Sequence, residues 1–157
     1  MNRLLIHGLI VALAAVSAGA AAHPQSRRTD GESLAIRDAW VRESTALRRS
    51  SSGYCRIENP TDTPVALVRI RVPGVGEAQV HAMTQRDGQM MMHPVSSLTI
   101  PAHGAVDLAP GGTHVMLTDI ARPLTAGSTL DMQFTFDDGR TRTVRAVVRT
   151  LGAMSIR

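Results

Sequence analysis

From Leu34 to Arg149 the chain alternates short apolar stretches with turn residues, and no sustained 3.6-residue period appears. This pattern predicts strands over 34–41, 53–58, 65–72, 77–83, 89–95, 105–108, 114–117, 129–136 and 141–149. Asn59-Pro60, Pro73-Gly74, Asp87-Gly88, Pro110-Gly111-Gly112 and Asp138-Gly139 punctuate them. The two Asp-Gly pairs are the strongest hairpin signals, because a tight hairpin turn needs residues that accept positive φ. Many short strands with frequent turns make an all-β sandwich or barrel.

Residues 1–22 are patterned differently. Arg3, an apolar run from Leu4 to Val16 and a small-residue end from Ala18 to Ala22 read as a secretory signal peptide. The run is shorter than the ~20 residues of a spanning helix and is interrupted by His7, so no membrane span is expected after cleavage. No cysteine lies near the cleavage region, so a lipid anchor is not expected either. Cleavage after Ala20 or Ala22 would release the chain into a bacterial periplasm. Residues 23–33, polar and containing Pro24, read as a flexible linker, 34–150 as the β-domain and 151–157 as a short tail.

Composition narrows the chemistry. A chain of 157 residues, 43% hydrophobic and 19% charged, suits one globular domain. All 17 basic residues are arginine and the net charge is +4, which raises the question of nucleic acid. The arginines are scattered singly or in pairs, and Trp40, Tyr54, Phe134 and Phe136 are too few for a base-stacking platform. No nucleic-acid partner is expected. The single cysteine, Cys55, excludes an internal disulfide, a four-thiolate zinc site and an iron-sulfur cluster. Eight methionines and six histidines remain as soft or borderline ligands.

Their positions are uneven. Residues 81–116 hold four of the five histidines and five of the seven methionines that follow residue 22. If Asp87-Gly88 is a two-residue loop, Arg86 pairs with Gln89 and Met83 faces Met92. Strand alternation then puts His81, Met83, Met90 and Met92 on one side of the hairpin and Met91 and His93 on the other. His114 and Met116, two apart, also share a face. Two readings fit: a methionine-rich core, since methionine fills irregular gaps, or a metal site. Two imidazoles with two thioethers suit Cu(I) and are poor for Mg, Ca or Zn. Thioethers also bind without losing a proton.

The spacing of these residues resembles that of the periplasmic copper chaperones of the PCuAC type. The family pattern is a His, ten residues, a Met, twenty-one residues and His-x-Met, and His81, Met92 and His114-Val-Met116 match it without a gap. Supporting similarity runs through Asp38-Ala-Trp-Val-Arg42, Ile57-Glu-Asn-Pro60, the Asp-Gly hairpin, Met92-His-Pro94, Ile100-Pro101 and Leu108-Ala-Pro-Gly-Gly112. The resemblance implies a cupredoxin-like Greek-key β-barrel or sandwich that binds one Cu(I) per chain through His81, Met92, His114 and Met116. It also implies a monomeric periplasmic metallochaperone, with no catalysed reaction. The copper acceptor would be a CuA domain of cytochrome c oxidase or another envelope copper chaperone.

Periplasmic copper storage or resistance is the nearest alternative, and a cupredoxin-like electron carrier the next. The carrier would need a cysteine beside two histidines, and Cys55 is far upstream of His114. A processed N-terminus at His23, or Ala21-Ala22-His23, could instead hold Cu(II). Relatives sometimes carry His- and Met-rich tails, whereas 151–157 offers only Met154. Cys55 alternates with Ile57 and is expected to be buried and inert. Trp40 is expected to anchor the core, Met83 and Met90 to pack beside the site, and His93 and His103 to lie on the surface.

Overall fold

The computed structural model describes residues 33–153, and among them the apolar alternation resolves into ten strands and no helix. They are β1 (Ala35–Arg42), β2 (Ser51–Asn59), β3 (Val65–Arg71), β4 (Val75–Arg86), β5 (Gln89–Pro94), β6 (Leu98–Ile100), β7 (Gly104–Leu108), β8 (His114–Ile120), β9 (Thr129–Phe136) and β10 (Thr141–Arg149). All nine expected strands are present. The addition is β6, whose three residues are too short to show alternation. The signal-peptide reading, nearly all of the linker, His23 and Met154 lie outside the described residues.

The strands form one path, β5-β4-β8-β2-β1-β10-β9-β3-β6, with β7 beside β2. The path curls around a single core that takes residues from nearly every strand, including Val41, Ile57, Leu67, Ile100, Leu108, Leu117, Met132 and Phe134. β1 and β10 run parallel and the other pairs antiparallel. The fold is all-β and cupredoxin-like.

Three local features decide what reaches the surface. In β1, Asp38 takes φ +52°, and the register with β2 shifts between Arg37 and Trp40. This bulge reverses the side-chain parity along the strand. Ile36, opposite Ile57, and Val41 turn inward, while Trp40 turns to the outer face opposite Tyr54. Trp40 is fully buried, as expected of an anchor, but it packs on this outer face rather than in the main cluster.

The second feature is the joint between β3 and β4. Val75 N–H donates to Val72 across Pro73-Gly74, with Gly74 at φ +77°, as in a type II turn. Such turns do not match strand twist and splay the strands they join. β3 and β4 therefore part, leaving an open groove of about 800 Å³ lined by both.

The third concerns one edge of β2. Cys55 pairs with Leu108 of β7, yet Gly53, two residues away, pairs with Val115 of β8. The extra residues between Leu108 and Val115 loop out as a tight turn, closed by Ala109 N–H to Thr113 O at 2.9 Å and Gly112 N–H to Ala109 O at 3.1 Å. After the turn the chain returns to the sheet at His114.

Candidate metal centre

The β4–β5 hairpin has the expected two-residue loop. Arg86 pairs with Gln89, and Asp87 and Gly88 both take positive φ, +52° and +79°. Met83 therefore lies directly opposite Met92. On its other edge β4 pairs with β8, which sets His81 directly opposite His114 and Gln79 opposite Met116. Opposed residues share a face, so His81, Met92, His114 and Met116 project from the same side of three adjacent strands. The His81–His114 pairing could not be read from the sequence, because nothing local says that β8 lies beside β4.

The two imidazole centroids are 6.1 Å apart with their planes at 46°. A metal–imidazole bond of about 2 Å, plus about 1 Å from nitrogen to ring centre, allows two rings on one ion up to roughly 6 Å apart. The spacing fits a shared ion. Ring nitrogens are available for it. His114 Nδ1 lies 2.9 Å from the carbonyl of Gly112. A carbonyl only accepts, so Nδ1 carries the proton and Nε2 keeps a free lone pair. The looped-out turn thus fixes the tautomer of His114, the physical role of Leu108-Ala-Pro-Gly-Gly112. His81 Nδ1 is buried without a hydrogen-bond partner among the described residues, an unused polar atom of the kind that a metal ligand offers. Burial, and next the neighbouring His114, hold the His81 pKa below the usual value of 6.5. Its neutral, ligating form dominates at neutral pH.

Met92, His114 and Met116 line one cavity of about 250 Å³ together with Arg42, Arg48, Ser51 and Ser52. His114 is only 8% exposed, whereas Met92 is 48% exposed at the sheet edge. The centre is therefore closed at His114 and open at Met92. Tyr54 extends the closed side: its ring lies 6.4 Å from His114 and 4.4 Å from Trp40. Arg42 sits 5.7 Å over the Tyr54 ring and Arg149 5.2 Å over Trp40. Tyr54, Gly112 and the arginine rim were not singled out by spacing, since each reaches the centre through long-range pairing.

The other candidates separate cleanly. Met83 is half-buried and on the face of the centre, but Met90 is 57% exposed, so it does not pack beside it. Met91, at 50% exposed, and His93 share the opposite face. The methionine-rich core fails, because Met132 alone among the described methionines is fully buried. His103 lies on a loop at φ +50°, with Nε2 2.8 Å from Asp62. Cys55 is 1% exposed, and burial, then Asp107, pushes its thiol up to about 12. It faces the core, away from Ser52 and Tyr54, so it is neither a ligand here nor an accessible thiol. Among the described residues no helix is long and apolar enough to cross a membrane.

Comparison with known proteins agrees with this architecture. The family model "LpqE-like: Putative lipoprotein LpqE-like" matches residues 34–148. A protein of Leifsonia xyli subsp. xyli, "Putative lipoprotein Lxx21020", is 28% identical over 153 residues, covering 94% of this chain and 91% of that one. The solution structure of CuI-DR1885 from Deinococcus radiodurans is 28% identical, with TM-score 0.56, over 80% of this chain and 86% of that one. The copper-bound PCuAC domain from PmoF2 matches in fold, with 23% identity, TM-score 0.64 and coverage of 74% and 92%.

Proposed function

The chain belongs to the LpqE-like family, and from that premise we propose that it is a periplasmic metallochaperone. It carries one Cu(I), held by His81, Met92, His114 and Met116, and passes it on by ligand exchange. The observation that carries this reading is the facing His81–His114 pair with thioethers on the same sheet face, closed at His114 and open at Met92. Structural relatives described as CuI-DR1885 and a copper-bound PCuAC domain support it.

Copper is cargo here, so the residues have two tasks. They hold a soft ion without a thiolate, and they let it go. Neutral thioethers and imidazoles favour Cu(I) and need no proton exchange at neutral pH. An acceptor's ligands reach the ion from the Met92 side while His114, fixed by Gly112, still holds it. No bond of an organic substrate is made or broken, so no catalytic residue is assigned. The acceptor is a CuA domain of cytochrome c oxidase or another envelope copper protein. The electron-carrier reading loses its thiolate, because Cys55 faces the core.

Anaerobic transfer to an apo CuA domain tests delivery. Transfer faster than release to an equal concentration of small chelator is expected; no transfer would leave copper storage as the function.

A further inference from the structure

β5 is the end strand of the sheet and all six of its residues are exposed, yet it carries Met90, Met91 and Met92 in a row. Three large apolar side chains on an uncovered strand gain nothing from packing, and such exposure usually serves recognition. Their arrangement is more specific than an apolar patch. On the face of the centre, the pairing forms successive rows: Met116 beside Gln79, then His114 beside His81, then Met83 beside Met92, then Met90 beside Gln85. Neighbouring rows are about 7 Å apart along the strands. Soft ligands thus occupy four consecutive rows, from Met116 toward the Asp87-Gly88 tip. Only His81, His114, Met92 and Met116 are needed to hold one ion.

We propose that Met83 and Met90, with Met92, form a second, weaker thioether site for a soft monovalent cation, through which copper enters and leaves the His81–His114 centre. This rests on the reading of that centre as a Cu(I) site. Each transfer step is ligand exchange: a thioether–copper bond forms as an imidazole–copper bond breaks, with no change of oxidation state and no proton moved. Met92 belongs to both sets and is the hinge between them. Flexible thioethers with three rotatable bonds can bridge one row to the next. Met91, on the opposite face, takes no part.

The test compares the parent chain with a Met83→Leu/Met90→Leu double variant, which keeps apolar volume, and with Met91→Leu as control. Under anaerobic conditions, methyl-labelled methionine resonances are followed by NMR during Cu(I) titration. Release to a small anionic Cu(I) chelator is timed in parallel. The Met83 and Met90 methyls should shift only beyond the first equivalent. The double variant should keep the first equivalent, lose the second and release copper about tenfold more slowly. Met91→Leu should match the parent. Unmoved Met83 and Met90 methyls, or release from the double variant as fast as from the parent, would overturn the proposal. So would slower transfer seen only with a protein acceptor, which would make the hairpin a docking surface. Loss of the first equivalent is read separately in His114→Ala; if that variant binds copper as the parent does, the centre itself is wrong.

Discussion

At the scale of single residues, function depends on lone pairs being left available. His114 keeps Nε2 free because its Nδ1 donates to Gly112, and His81 keeps a buried nitrogen without a hydrogen-bond partner among the described residues. His114→Ala and Met92→Leu should each weaken Cu(I) binding by at least about tenfold in anaerobic chelator competition, with unchanged far-UV circular dichroism. Binding equal to the parent in both would remove the assignment. His81 also sets a pH dependence. Its pKa is lowered first by burial and then by His114, with His93 adding to this and Glu77 opposing it. The unfolded histidine titrates near 6.5, so below that pH the unfolded chain binds more protons than the folded one. The metal-free protein should lose stability as pH falls through the window below 6.5 and gain none from this group above it. Urea midpoints on either side of that window should differ less in His81→Asn than in the parent, and an unaltered difference would count against it.

At the scale of elements, register does the positioning. The β4–β8 pairing sets His81 against His114, and it depends on Gly76. A Cβ there would lie 2.7 Å from the Cβ of Asp119, itself held at φ +54°. Gly76→Ala should destabilise the fold by about 1–3 kcal/mol. It should also weaken Cu(I) binding, although residue 76 is remote from the ligands. Denaturant melts and chelator competition check the two effects, and an unchanged melt would show that Asp119 moves aside freely. The two Asp-Gly hairpins show what local chemistry can and cannot fix. Asp87-Gly88 forms the two-residue turn that the sequence suggests, which is why the facing of Met83 and Met92 was legible in advance. At Asp138-Gly139 the loop is longer: Phe136 N–H donates to Arg140 O, and Gly139 alone takes positive φ. The same dipeptide serves both, because flanking strand pairing chooses the loop length.

At the scale of the whole molecule, one curled sheet has two working faces. The inner face supplies the core, and the outer face is closed at Trp40 and Tyr54 and open at Met92. Trp40→Ala should cost about 3–5 kcal/mol in thermal or chemical melts even though Trp40 stands outside the main core. It should also loosen the closed side of the centre through Tyr54. A loss below 1 kcal/mol would mean that the outer face adds little to stability. On the proposed reading, Cu(I) binds only the folded pairing of β4, β5 and β8. Free copper at about a hundred times the dissociation constant should therefore raise stability by about 2.7 kcal/mol, seen as a higher melting temperature. No shift would argue for a metal-free role.

The sequence by itself determined what is local: nearly every strand, the tight β4–β5 turn and the shared face of His81, Met83, Met90 and Met92. Each follows from alternation or turn chemistry within a dozen residues, and the ligand spacing added the resemblance to copper chaperones. Tertiary structure decided everything that depends on pairing between distant segments. It placed β8 beside β4, so that His81 meets His114, and looped out 109–113, so that Gly112 orients His114. It bulged β1 at Asp38, turning Trp40 from the core toward Tyr54. Among the described residues it also left β5 exposed, so that Met90, Met91 and Met92 stand in solvent and the reading of a methionine-rich core fails. The physical reason is the two-residue period of a strand. Alternation says which side chains share a face, and only the neighbouring strands, bulges and edges say what that face meets.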